Sequence, residues 1–151
     1  MTTVTGRART WVKATLGVYL VAVGVVTMRP APPDDETLGL AIRFITWLAS
    51  RGLPVTVPGM EASANVVMFV PFGVLVGLLL ARPWWVVVLL GCATSTLIET
   101  VQRWLPTRFS TLQDVVMNTT GAAVGVLGLV AWVWWRGRRA AARAGGGADR
   151  A

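Results

Sequence analysis

Residues 84–105, WWVVVLLGCATSTLIETVQRWL, decide the fold class of this chain. The stretch begins with two tryptophans and carries a single charge, Glu99, before Arg103 near its end. An α-helix rises about 1.5 Å per residue, so a stretch of this length suits the roughly 30 Å hydrocarbon core of a membrane. Residues 84–105 therefore predict a transmembrane helix.

Further apolar stretches flank this one on both sides. Of the 151 residues, 54% are hydrophobic and 14% charged, which lies outside the usage of soluble domains. The first stretch has the basic start of a secretory signal, but its length and the lack of an A-x-A site favour an uncleaved helix. We therefore predict an all-α fold, a four-helix transmembrane bundle with spans at about 11–28, 62–81, 84–105 and 112–135.

The segments outside the spans differ in composition. Residues 29–37 are rich in proline and acidic residues, which predicts a loop. Residues 38–50 are too short to span, and their polar residues at helical spacing predict a short extracytoplasmic amphipathic helix between the first two spans. This helix either lies on the membrane or packs on the bundle. We predict a membrane domain over 1–136 and a disordered basic cytoplasmic tail over 137–151.

The distribution of basic residues predicts the orientation of the chain. With the N-terminus in the cytoplasm, cytoplasmic segments hold nine lysines and arginines and outer segments hold five. The tryptophans cluster at span ends, where an apolar ring with one N–H donor meets the interface. We therefore expect both termini in the cytoplasm.

Several classes of function are disfavoured by composition. The net charge of +7 comes from basic residues at the ends of apolar runs, so we expect no nucleic-acid partner. The sequence has no histidine and one cysteine, Cys92, so it offers no Cys/His zinc site and no intrachain disulfide. We expect no metal and no cofactor, and we interpret Cys92 as a small buried hydrophobic residue.

Polar residues inside the predicted spans identify a candidate site near the outer face. Ser95, Glu99 and Gln102 follow one another at spacings of four and three, so they share one face of the third span. Asp114 and Asn118 form a similar stripe on the fourth span. The second span and the loop before the fourth each add one residue. The candidate ligand-binding residues are Asn65, Ser95, Glu99, Gln102, Arg108, Asp114 and Asn118.

The cost of burying charge makes this cluster informative. A charged side chain at the membrane centre costs at least about 2.5–3.5 kcal/mol, so such residues usually face the bundle interior and have partners. One interpretation is a ligand site. The alternative is a structural clip in which Glu99, Arg108 and Asp114 only pair with one another. Small residues at spacing four predict close helix packing at Gly73 and Gly77, and at Gly121 and Gly125.

Four groups of residues between about 62 and 130 combine into a pattern. They are Asn65-x-x-x-Phe69-x-Pro71-Phe72-Gly73, Ser95-x-x-x-Glu99-x-x-Gln102, Arg108, and Asp114-x-x-x-Asn118-x-x-Gly121. This combination resembles the VanZ-like family of bacterial membrane proteins. The resemblance implies a small multi-span protein of the bacterial cytoplasmic membrane, in a family whose founding member is associated with resistance to the glycopeptide teicoplanin. It implies no settled biochemical activity, so catalytic residues stay unassigned.

Three hypotheses follow for the function. The leading one is a non-enzymatic envelope protein that binds a lipid headgroup, a lipid-linked cell-wall intermediate or a glycopeptide, with Arg108 pairing with a phosphate. The second is an intramembrane enzyme with Glu99 or Asp114 as general base, disfavoured by the missing histidine and nucleophile. The third is a proton-coupled exporter that uses Glu99, disfavoured because such sites lie near the midplane. Membrane lipids are expected partners, and homo-oligomerisation is left open.

Overall fold

Four α-helices make up the fold of the computed structural model. It describes residues 6–28, 39, 42–43, 46–47, 49–52, 56–80, 82–104 and 111–148, the last five by their backbone alone. All four helices are long and apolar enough to cross a membrane, and the described residues contain no strand. The prediction of an all-α, four-helix fold is therefore confirmed. The helices are α1 (Arg7–Met28), α2 (Val57–Leu79), α3 (Trp84–Gln102) and α4 (Leu112–Ala148).

Helix α2 begins earlier than its hydropathy predicted, at Val57 instead of residue 62. The hydroxyl of Thr56 accepts a hydrogen bond from the backbone N–H of Gly59 at 3.2 Å and so caps the helix. Pro58 in the first turn has the fixed φ angle that suits a helix start. The cap at Thr56 and Pro58 in the first turn therefore start the helix before the predicted span, and the helix continues through Pro71.

Helix α4 extends into residues 137–151, the segment for which composition predicts a disordered tail. It is 37 residues long and continues to Ala148, well past the apolar stretch that ends near residue 135. Residues 138–144 of this extension are all alanine or arginine, which are among the best helix formers. Because the transmembrane part of α4 is already helical, the extension avoids the free-energy cost of helix nucleation, and each added residue only propagates the helix.

The helices alternate in direction along the chain. The phenol of Tyr19 in α1 donates a hydrogen bond to the carbonyl oxygen of Met68 in α2 at 2.8 Å. Thr27, in the last turn of α1, meets Gln102 at the end of α3. We name the end where α1 and α3 finish and α2 and α4 begin the polar end. The opposite end, where α1 and α3 begin and α2 finishes, is the basic end.

The most extensive contact joins α2 to α4, which run parallel. A Cβ atom on Gly121 would collide with the carbonyl oxygen of Val66, and one on Gly125 would collide with that of Val70. Only glycine lets the two backbones approach this closely. The predicted packing role of these glycines is confirmed. The same is true of Gly73, which faces the backbone of α4.

The core-facing stripe of α3 runs through Val87, Gly91, Ser95 and Glu99. Cys92 is only half-buried, which corrects its interpretation as a buried residue. The physical reason is its position one residue after Gly91, because each step along a helix turns the side chain by about 100°. Cys92 therefore lies at the edge of the stripe.

The predicted amphipathic helix over 38–50 is described only in part. Positions 39, 42–43, 46–47 and 49–50 have helical conformation. The hydroxyl of Thr46 donates to the carbonyl oxygen of Ile42 at 2.8 Å, as expected within a helix. The remaining positions of 38–50 and the loop over 29–37 lie outside the described residues. How the segment lies relative to the bundle stays a prediction.

Candidate functional site

A cavity of about 540 Å³ lies at the polar end of the bundle, and all four helices contribute to it. Five of the seven predicted site residues line it. Ser95 lies beneath it, bonded to a lining residue, and Arg108 lies outside the described residues. The polar lining residues are Thr27, Glu61, Asn65, Glu99, Gln102, Thr111, Gln113, Asp114 and Asn118.

Asp114 connects α2 to the start of α4. Its Oδ1 accepts a hydrogen bond from Asn65 Nδ2 at 2.6 Å, and its Oδ2 accepts one from the Thr111 hydroxyl at 2.8 Å. The backbone N–H of Asp114 donates in turn to Thr111 Oγ1 at 3.2 Å. A hydroxyl just before a helix with an acidic residue three positions later is a common N-terminal capping pattern. Local capping therefore fixes the carboxylate where it reaches α2.

Asn118 forms the deep polar part of the cavity. It is about one turn beyond Asp114 along α4, and only 3% of it is exposed. One end of its amide bonds to Ser95, with Nδ2 donating to the fully buried Oγ at 2.8 Å. The other end, Oδ1, has no hydrogen-bond partner in the described part of the chain. A buried amide usually satisfies both ends, so this one has a hydrogen-bonding capacity in reserve.

Gln102 and Glu99 complete the α3 side of the cavity. The amide of Gln102 donates to the backbone carbonyl of Thr27 at 2.8 Å, which joins the ends of α3 and α1. Glu99 is also buried, and it lies between Ser95 and Gln102 on the same helix face. The predicted pairing of Glu99 and Asp114 with Arg108 stays a prediction, because Arg108 is outside the described residues.

A family model described as VanZ/LLP1 matches residues 16–135, which is most of the chain. The chain belongs to the VanZ/LLP1 family. The resemblance read from the sequence motifs is thereby confirmed. Comparison with curated proteins and with solved structures found no match. Family membership and the four apolar helices together make it a multi-pass membrane protein.

The matched region of this VanZ/LLP1 protein contains the whole polar end of the bundle. It begins within α1 and stops at Trp135, so it includes every predicted site residue. The helical extension of α4 after residue 135 lies beyond it. All described lining residues of the cavity therefore come from the part of the chain that the family model covers.

The described lining of the VanZ/LLP1 cavity is rich in hydrogen-bond acceptors. Three carboxylates, those of Glu61, Glu99 and Asp114, face it, and no lysine or arginine is among its described lining residues. The described residues also contain no group of three acidic, histidine or cysteine side chains that could hold a metal ion. This inventory suits a ligand that brings hydroxyl, amide N–H or ammonium donors.

Sequence reasoning missed four polar lining residues, namely Thr27, Glu61, Thr111 and Gln113. Two had a readable signal. Thr111 begins the spacing Thr-x-x-Asp that marks a helix start, and Glu61 precedes Asn65 by four residues, on the same helix face. Thr27 had no such signal, since it is a lone threonine at the end of an apolar run. Only the packing of α1 against α3 reveals its role.

Proposed function

We propose that the cavity at the polar end binds the polar headgroup of a lipid or of a lipid-linked cell-wall molecule. The protein would thereby influence the susceptibility of a bacterial cell to teicoplanin-type glycopeptides. The observation that carries the proposal is Asn118, a deeply buried amide at the cavity with one end bonded and the other without a partner in the described residues. A bound headgroup would supply that partner.

The energetics of membrane burial support this proposal. An unsatisfied buried polar group costs about 1–3 kcal/mol, and more in surroundings that hold no water. Asn65, Gln102 and Asp114 are each held by a hydrogen bond to another helix or to a cap. The polar surface is therefore organised before a ligand arrives, which lowers the entropy cost of binding.

The chemistry of the lining suggests which part of a headgroup enters. Carboxylates and a carbonyl oxygen favour donors such as sugar hydroxyls, amide N–H groups or an ammonium group. We propose that Arg108, which lies outside the described residues, adds a partner for a phosphate. Lipid-linked cell-wall intermediates carry both kinds of group on one molecule.

The two alternative functions receive less support. Both oxygens of Asp114 accept hydrogen bonds, which suits a structural carboxylate better than a general base. An exporter that alternates access would be expected to have its site near the membrane midplane. The cavity instead lies at one end of the bundle, which we propose faces the outside of the cytoplasmic membrane.

A paired substitution tests the proposal. Ser95→Ala with Asn118→Leu removes both partners of the buried hydrogen bond, so folding should be nearly unchanged. We expect the variant to insert and unfold at a temperature close to wild type, yet to lose co-purifying lipid in native mass spectrometry. Cells that express it should lose any tolerance to teicoplanin that the wild-type protein confers.

The matched control is Thr96→Ala with Thr120→Val. It changes one residue on each of the same two helices, at exposed positions where the hydroxyls bond only to their own helix backbone. This control should behave as wild type in all three measurements. If the Ser95/Asn118 variant retained lipid and tolerance at normal abundance, the binding proposal would be wrong.

A further inference from the structure

The basic end of the bundle is chemically opposite to the polar end. Its described residues carry eight lysines and arginines and no carboxylate, and all eight side chains are exposed. They come from the start of α1, the turn after α2 and the end of α4. The eight are Arg7, Arg9, Lys13, Arg82, Arg136, Arg138, Arg139 and Arg143. With no described anion beside them, these cations are available to an external partner.

Three of these arginines stack on tryptophans one helical turn earlier in α4. The guanidinium carbon lies 4.9 Å from the ring centroid in the Arg136–Trp132 pair. The corresponding distance is 4.1 Å for Arg138–Trp134 and 3.5 Å for Arg139–Trp135. We name these six residues the Arg–Trp ladder. Each stack covers one face of the guanidinium and leaves its N–H edge free to donate.

The spacing of the ladder matches the layers of a membrane surface. The Cα atoms of each pair are about 6 Å apart along the helix axis, but each guanidinium folds back against its ring and lies at most 4.9 Å from the ring centroid. The headgroup layer of one leaflet is about 5–7 Å thick beyond the hydrocarbon. Indole rings anchored at the hydrocarbon boundary would therefore hold the stacked guanidinium groups within this headgroup layer, which contains the lipid phosphates.

We infer that the Arg–Trp ladder binds the phosphate groups of anionic membrane lipids. A guanidinium edge donates two parallel hydrogen bonds to a phosphate, and the stacked indole holds that edge outward. The continuation of α4 as a helix past residue 135 is what fixes the register between rings and cations. The Arg–Trp ladder lies at the opposite end of the bundle from the cavity. The inference about the ladder therefore does not depend on the function proposed for the cavity.

The test uses the full chain in detergent, titrated with phosphatidylglycerol or phosphatidylcholine and followed by native mass spectrometry. Arg138→Gln with Arg139→Gln should weaken phosphatidylglycerol binding about tenfold or more, with phosphatidylcholine binding unchanged. Arg43→Gln with Arg103→Gln removes the same charge from exposed positions outside the ladder and should leave binding at the wild-type level. Equal weakening by both pairs would overturn the inference.

Two further measurements distinguish binding by the stacked geometry of the ladder from binding by positive charge alone. Arg138→Lys with Arg139→Lys keeps both charges but removes the planar fork, so binding should fall between wild type and the Gln pair. Wild-type affinity in the Lys pair would overturn the stacked geometry. Inorganic phosphate at matched ionic strength should displace little lipid. Displacement as effective as by phosphatidylglycerol itself would show a free-phosphate site instead.

Discussion

Asp114 and Asn118 differ in how far their side-chain hydrogen-bonding groups are satisfied within the described residues. Both carboxylate oxygens of Asp114 accept hydrogen bonds, and its backbone N–H is capped by Thr111. Asn118, deeper on the same helix, has one end of its amide bonded and the other without a partner among the described residues. Asp114 therefore serves the α2–α4 connection, and Asn118 is the better candidate for ligand contact.

The structural role of Asp114 predicts a loss of stability on substitution. Asp114→Ala removes two side-chain hydrogen bonds and half of the capping pattern, so the free energy of unfolding should fall by about 1–3 kcal/mol. Glu61→Ala removes the same charge from an exposed position on the same cavity and should change stability little. Thermal unfolding in detergent compares the two. Equal unfolding temperatures would contradict the structural role.

At the scale of helices, the bundle depends on the close approach of α2 and α4. Glycine permits this approach at Gly121 and Gly125, where the facing atoms are backbone carbonyl oxygens of α2 that cannot move aside. The depth of the cavity depends on the same contact, because Asn65 reaches Asp114 only when the helices are this close. Helix packing and site geometry are therefore coupled.

Two glycines one turn apart on α4 give opposite predictions. A Cβ on Gly125 would collide with the backbone of α2, whereas Gly128 has open space around it. Gly125→Ala should destabilise the protein by about 1–3 kcal/mol, as overpacking does. Gly128→Ala should be neutral or stabilising by up to about 1 kcal/mol, because alanine is the better helix former. Unfolding temperatures and membrane abundance of the two variants check the sign.

At the scale of the whole molecule, the described carboxylates lie at one end of the bundle and most of the described cations lie at the other. Glu61, Glu99 and Asp114 lie at the polar end, and the described residues of the basic end carry only cations. Basic residues near the ends of spans favour the cytoplasmic side. We therefore propose that the basic end and both termini face the cytoplasm, so that the cavity opens towards the cell wall.

Reporter fusions test this orientation. Fusions after residues 50 and 109 should report an extracytoplasmic location, and fusions after Pro83 and at the C-terminus should report a cytoplasmic one. The physical basis is the excess of arginine and lysine in the segments assigned to the inside. Replacing Arg138 and Arg139 by glutamine in one fusion series checks that the ladder does not alone decide orientation. A cytoplasmic signal from the fusion after residue 109 would contradict the proposed orientation.

The sequence by itself determined the number, kind and approximate place of the helices. Hydropathy over about 20 residues is a property of each segment alone, since a membrane demands internal backbone hydrogen bonding whatever the neighbours are. Helical spacing likewise placed Ser95, Glu99 and Gln102 on one face, and the motifs led to the family that the chain belongs to. Local sequence signals favour both the cap at Thr56 and a helix beyond residue 135. The composition of these two segments favours a loop and a disordered tail instead, and the predicted helix bounds followed the composition.

Only the tertiary structure decided which polar groups meet and which remain open. The Asn65–Asp114 and Gln102–Thr27 hydrogen bonds join residues 49 and 75 positions apart, so no local pattern encodes them. The participation of Thr27, and the end of the Asn118 amide that finds no partner among the described residues, emerge only when helices pack. The physical reason is that hydropathy fixes each helix separately, whereas the glycine contacts of α2 and α4 fix the distance and register between them.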